Sequence, residues 1–237
     1  NSTRKRSDGK SVQTFGNFED EKPWRTFLKR FNKHFMRNII LTFIILFSNG
    51  CSSQDNKNYF DLGKQEMKNQ NLEKAVEYLS IAIDKNQNKS EAFFARGLCN
   101  NLLKKFDNST DDFTSAEKLG FIDVKLYTLR GFAYNQINKN ELALKDVSKA
   151  IEMNPEFYPK NYYNKASLEI KLNRNEEALN DFNEYIKREQ EPLGYFERGK
   201  LFYNLGRNEE ACKDFETSLK LGNKSEEILR LKEEICK

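Results

Sequence analysis

Residues 124–157 read VKLYTLRGFAYNQINKNELALKDVSKAIEMNPEF, and this stretch decides the fold. Gly131 lies twelve residues before Ala143, and apolar residues then recur at helical spacing through Val147, Ala150 and Ile151. The polar joint Asn138–Asn140 between the two halves predicts a helix, a turn and a second helix. Outward from here, the same interval separates Gly63 from Ala75, Gly97 from Ser109 and Gly199 from Ala211, and Ala166 from Ala178. A recurrence of about thirty-four residues predicts stacked two-helix units, each burying its apolar face only against its neighbours. Glycine inside a helix costs about 1 kcal/mol relative to alanine. Four at one place therefore require a compensating close approach of a facing helix.

The copies run 56–89, 90–123, 124–157, 159–191 and 192–225, with Tyr158 as an extra residue before the fourth. Counted within a copy, the fourth place holds Tyr59, Phe93, Tyr127, Tyr162 and Tyr195. The twenty-fourth holds Leu79, Phe113, Val147, Phe182 and Phe215, and the twenty-seventh holds Ala82, Ala116, Ala150, Tyr185 and Ser218. This succession of aromatic, glycine and alanine places resembles the tetratricopeptide repeat family. The resemblance implies an all-α fold, a right-handed α-solenoid of five helix pairs. Residues 226–237 are expected to add a C-terminal capping helix, with Ile228, Leu231 and Ile235 turned toward the fifth copy. The family's closing proline survives only as Pro155. Gln87, Phe121, Gln190 and Asn223 take its place elsewhere, which predicts looser turns. Residues Asp107 to Asp112 are poor helix formers, so the second helix of the second copy is expected to be the weakest link.

Two further places covary. The seventh reads Leu62, Arg96, Arg130, Lys165 and Arg198, and the twenty-third reads Tyr78, Asp112, Asp146, Asp181 and Asp214. A basic residue at one is always matched by aspartate at the other. This predicts ion pairs within each copy: Arg96–Asp112, Arg130–Asp146, Lys165–Asp181 and Arg198–Asp214.

Toward the other end, Ile39 to Phe47 is an apolar run broken only by Thr42, preceded by Arg37 and followed by Gly50 and Cys51. It is too short to span a bilayer, which needs about twenty residues, and it fits the apolar core of an export signal. With Cys51 it resembles a bacterial lipoprotein signal, although Ser48 stands where leucine is usual. That resemblance implies a signal segment at 36–50, a lipid on Cys51 and a short tether at 51–55. It also implies a place in the bacterial cell envelope, with Ser52 favouring the outer membrane. Residues 1–35 are polar and charged, and read as a disordered or spurious N-terminal extension without a function.

The whole chain carries 40 basic and 36 acidic residues, and the ten basic and four acidic ones within 1–50 leave 30 and 32 beyond. The repeats thus lack the basic excess expected of a nucleic-acid binder. The single histidine, His34, lies before the repeats, which removes histidine as base or zinc ligand from them. Cys99, Cys212 and Cys236 form no metal-ligand spacing. Cys99 and Cys212 read as small buried residues, and Cys212 meets Cys236 only if the last helix folds back. No phosphate-cradling glycine loop is present. The chain reads as non-catalytic, without metal or cofactor; an enzyme with an unrecognised site is the remaining third class.

The family resemblance also implies a concave groove lined by the second, fifth, ninth and twelfth places of each copy. The partner-binding candidates are Phe60, Lys64, Phe94, Leu98, Asn101, Thr128, Phe132, Asn135, Tyr163, Ser167, Phe196, Lys200 and Tyr203. Aromatics on such a face either hold an apolar or extended peptide or merely pack the groove wall. The lysine and asparagine with which some members grip a chaperone's C-terminal carboxylate are replaced here by Phe60 and Lys64, so that clamp is absent. The function implied is a protein-interaction scaffold tethered by lipid to a membrane, the alternative being a subunit of an envelope assembly or secretion machine.

Overall fold

The computed structural model describes residues 57–236. The extension at 1–35, the signal segment at 36–50, and Cys51 with its tether at 51–55 lie outside the described residues. Eleven helices and no strands are found among those that are described. They form five antiparallel pairs: α1 (Tyr59–Lys68) with α2 (Leu72–Asp84), α3 (Lys89–Leu102) with α4 (Phe106–Lys118), α5 (Val124–Gln136) with α6 (Asn140–Met153), α7 (Lys160–Lys171) with α8 (Asn175–Arg188), and α9 (Pro192–Asn204) with α10 (Asn208–Lys220). The last helix, α11 (Glu226–Ile235), packs on α10. No described helix is long and apolar enough to cross a membrane.

The turn inside each pair is made the same way five times. Gln70, Lys104, Asn138, Asn173 and Gly206 occupy one repeat place, and all have positive φ, between 58° and 73°. That left-handed residue reverses the chain so that the following N–H returns to a carbonyl five residues back, as in Lys139 to Tyr134 at 2.9 Å and Arg174 to Glu169 at 2.8 Å. Asparagine tolerates this conformation better than most residues. Gln70 and Lys104 adopt it because the flanking helices impose it.

The recurring glycines sit where the pairs cross. A Cβ on Gly97 would lie 2.9 Å from the Phe113 ring, and one on Gly199 would lie 2.7 Å from Phe215. Both rings are fully buried. The missing side chain therefore makes room for the bulky twenty-fourth place, and this burial offsets the helix cost of glycine.

The core is a chain of small clusters, each shared between adjoining helices. Leu79, Ala82, Ala92 and Cys99 form the first, and Phe113, Leu126 and Tyr127 join α4 to α5. At the end of the stack, Ile228 and Leu231 close over Phe196, Ala211 and Phe215, while Glu233 and Glu234 face solvent. Ser225 is the N-cap of α11, but its hydroxyl makes no capping bond; its own N–H donates to Asn223 Oδ1 at 3.0 Å.

Two expectations are corrected, and a third, the weak second helix of the second copy, meets contacts that oppose it. The turn that ends the first copy without proline is braced rather than loosened: Gln87 Oε1 accepts from the Tyr59 N–H at 2.8 Å, and its Nε2 donates to the Lys57 carbonyl at 3.0 Å. The Asp107–Asp112 stretch is tied down by tertiary bonds that propensity does not anticipate, since Ser109 donates to the Gly97 carbonyl at 2.9 Å and Asp112 accepts from Arg96 and Asn100. Finally, Cys212 is half-buried rather than a core residue, and is joined to Cys236 by a disulfide because α11 folds back. Cys99 remains a free, fully buried thiol, pushed up to about 11 by burial and by the nearby Asp112 charge.

Candidate functional site

The repeat geometry places two kinds of site side by side: charged joints inside the stack and an apolar groove on its surface. All four within-copy ion pairs form, at 2.6 Å (Arg96–Asp112), 2.7 Å (Arg130–Asp146), 2.6 Å (Lys165–Asp181) and 2.7 Å (Arg198–Asp214). The arginines do more. Each grips its aspartate with Nε and Nη2, and its Nη1 reaches the twenty-fifth place of the preceding copy: Ser80 at 2.9 Å from Arg96, Thr114 at 3.3 Å from Arg130, and Asn183 from Arg198. Arg130 also holds Glu117 at 2.6 Å. The planar fork therefore bonds both helices of its own pair and the pair before it, which a point-charge ammonium cannot do. Lys165, the one lysine at this place, instead lies 3.3 Å from Glu169 on its own helix.

Three buried side-chain oxygens lack a hydrogen-bond partner among the described residues, on Asn140, Asn161 and Glu169, and Glu169 is the titratable one. It is 3 % exposed, and its Oε2 is buried without a hydrogen-bond partner among the described residues. Burial, and then the hydrogen bond and charge of Asp181, push its carboxyl up to about 7, against the pull of Lys165. The equivalent residue in the second copy is Asn100, whose Nδ2 donates to Asp112 Oδ2 at 2.9 Å. A protonated Glu169 supplies the same donor to Asp181. Because the folded-state value lies above the ordinary 4.5, the native state holds the extra proton, and stability is expected to fall as pH rises toward 7. Glu169→Gln should flatten this dependence. Urea midpoints of both proteins at about pH 5 and about pH 8 test it; parallel losses in the two would reject it.

The groove opens between the second and third copies. Phe94 and Leu98 from α3, and Thr128, Leu129 and Phe132 from α5, line a cavity of about 520 Å³. Its far wall is Phe157 and Tyr158 from the α6–α7 connection, with Asn164 of α7 and Lys125 at the edge. Phe94 is held by stacking on Phe121 at 4.5 Å between ring centroids. Phe132 meets Phe106 edge-on at 6.0 Å, yet remains 45 % exposed. Phe157 and Tyr158 are also exposed, which is a concentration of apolar surface larger than scattered single residues explain.

The other groove candidates fare differently. Phe60 and Phe196 are core residues: Phe60 packs into the first cluster, and Phe196 packs against Phe215 beneath the capping helix. Lys64 and Lys200 lie over those two rings, at 5.2 and 5.0 Å. Tyr163 is half-buried against Phe182 and Tyr185. Asn101 is buried and donates to the Leu129 carbonyl at 3.2 Å, and Ser167 donates to its own helix at Tyr163. Asn135 accepts from Lys171 at 2.7 Å, and the Tyr203 hydroxyl donates to Glu234 of the capping helix at 2.6 Å. The cavity draws on Phe94, Leu98, Thr128 and Phe132 from the candidates. It adds Leu129, Phe157, Tyr158 and Asn164, of which Tyr158 carried a sequence signal as the residue inserted between copies.

Among the described residues, no three or more Asp, Glu, His or Cys side chains converge as metal ligands. The polar cleft around Arg130 and Asp146 is occupied by their own mutual bonds.

A stack of helix pairs with an open groove defines the class of helical-repeat interaction scaffolds. The chain belongs to the tetratricopeptide repeat family: one family description matches residues 60–119 and 163–226, and a second matches 124–157. Solved structures agree on the fold. YrrB, described as a tetratricopeptide repeat protein with an unusual peptide-binding site, superposes with a TM-score of 0.70 at 15 % identity, covering 79 % of this chain and 97 % of that one. MamA AMB-1 gives 0.64 at 22 % identity, over 73 % and 94 % of the two chains. A MamA fragment from Desulfovibrio magneticus RS-1 gives 0.64 at 16 %, over 69 % and 92 %. No curated protein matches the chain.

Proposed function

We propose that this protein is a non-catalytic scaffold, tethered by lipid at Cys51 to a bacterial envelope membrane, that holds an extended segment of a partner protein in the groove between its second and third repeats. The observation carrying the groove assignment is the cavity between Phe94, Phe132 and Phe157–Tyr158, open to solvent and lined by large apolar side chains. Apolar pockets of roughly 300–1,000 Å³ are the usual scale of binding sites. The Cys212–Cys236 disulfide supports the envelope assignment, because disulfides persist in oxidising compartments and are rare in the cytosol. It accords with the export-type run at Ile39–Phe47. The YrrB description adds a precedent for peptide binding on this fold.

Crosslinking in native membranes, followed by identification of the captured proteins, tests the reading. Phe94→Ala with Phe132→Ala should abolish specific capture while circular dichroism stays unchanged. Undiminished capture would move the site off this groove. Cys51→Ser should release the protein from the membrane fraction, and continued sedimentation with membranes would remove the lipid anchor from the proposal.

A further inference from the structure

The four groove places of the five copies carry five lysines, Lys57, Lys64, Lys125, Lys160 and Lys200, against one acid, Glu91. The remainder of residues 51–237 then holds 25 basic and 31 acidic side chains, the opposite bias. The charges on the groove are also unequally answered. Lys160 lies 3.9 Å from Glu191, and Lys200 lies 3.5 Å from both Glu197 and Glu227. Lys57, Lys64 and Lys125 form no ion pair among the described residues; the Lys57 ammonium lies over Tyr59 and Tyr78, that of Lys64 lies over Phe60, and Lys125 stands at the cavity edge. Unmet positive charge thus gathers in the half of the groove that also holds the exposed aromatics.

We propose that the occupant is an extended peptide segment in which a bulky apolar side chain is flanked by carboxylates. This rests on the groove reading above and names its partner's chemistry. The apolar side chain fills the cavity between Phe94, Phe132 and Tyr158, and a neighbouring carboxylate meets Lys125. Opposed charge steers and orients such a segment, while the buried side chain supplies residence time. Asn164, whose amide has no partner among the described residues, stands at the same edge with the donor and acceptor that a peptide backbone needs.

A phosphate backbone is the competing anion, and the arginines argue against it. All seven in the described residues are committed to carboxylates: Arg96, Arg130 and Arg198 inside the stack, and Arg174, Arg188, Arg207 and Arg230 on its surface. Six hold their carboxylates by hydrogen bonds, and the exposed Arg230 lies on α11, outside the cavity lining, so no guanidinium fork stands at the cavity to grip phosphate.

The test uses the full chain in mild detergent and fluorescence anisotropy with three labelled short peptides. One carries a Trp-Leu pair between runs of Asp and Glu, one the same pair between Lys residues, and one the acidic runs around Gly-Ser. The first alone should bind, weakening by about tenfold or more when salt is raised from low to several-fold physiological strength. Lys125→Glu should reverse the preference between the first two peptides, and Phe132→Ala should abolish binding of the first. Both residues are exposed, so the variants are expected to melt as the parent does. Equal binding of the acidic and basic Trp-Leu peptides overturns the charge inference and leaves the groove reading standing. Failure of every peptide overturns both. Displacement of the acidic peptide by a single-stranded oligonucleotide or by anionic phospholipid vesicles overturns the inference in favour of that ligand.

Discussion

Asp146→Ala is expected to lower folding stability by about 3–5 kcal/mol, because it strands a buried guanidinium. Arg130 and Asp146 are 6 % and 4 % exposed and share two bonds, at 2.7 and 2.9 Å. Burial raises the Asp146 carboxyl above its ordinary value, and Arg130 opposes this, so each charge is tolerable only beside the other. Without Asp146, Arg130 retains Glu117, which is half-exposed, and a long contact to Thr114. The double replacement Arg130→Met with Asp146→Leu should recover most of the loss, since apolar residues of similar size satisfy the site without charge. Urea titrations of the three proteins provide the comparison. A single variant as stable as the double would show that the pair is not desolvated.

Opening the Cys212–Cys236 bond is the second large effect. The bond closes a loop with a separation of 24 residues, which in the chain-entropy account is worth about 3.5 kcal/mol. The region it secures is the capping helix, whose Ile228 and Leu231 cover Phe196, Ala211 and Phe215. Cys236→Ser, or reduction of the parent, should therefore lower the melting temperature and speed amide exchange across α9 to α11. The first pair, at the other end of the stack, should be unaffected. Equal protection of α11 in oxidised and reduced protein would mean that packing alone holds the cap. Terminal repeats have only one neighbour, which is why a covalent tie matters more here than in the middle.

Part of this architecture was legible because it rests on local spacing. The match between a glycine at the eighth place and a bulky residue at the twenty-fourth is a contact between the two helices of one unit, and it repeats in register. The same holds for the seventh and twenty-third places, where charge matching predicted four ion pairs that all form. What was not legible lies between units or depends on insertions. The reach of Arg96, Arg130 and Arg198 back to Ser80, Thr114 and Asn183 crosses from one copy to the one before. The brace made by Gln87 depends on the chain's return toward Tyr59. Glu169 looks like any helical carboxylate until burial leaves its Oε2 without a hydrogen-bond partner.

The groove shows the same division. Equivalent repeat places predicted equivalent roles for Phe60, Phe94, Tyr163 and Phe196, yet two are core, one is half-buried, and only Phe94 opens onto the cavity. Repeat places specify which helix face a residue occupies. Its exposure depends on the neighbours, and these are not equivalent. Phe196 is covered because α11 folds over the fifth copy, while Phe94 and Phe132 stay open beside the wall that the inserted Tyr158 helps to build. By itself, the amino-acid order determined the helices, their pairing and the charged joints, since each follows from side chains at fixed offsets along one unit. Tertiary structure alone decided which aromatics remain open to a partner and which carboxyl is pushed above its usual range, because solvent access is a property of the assembled stack.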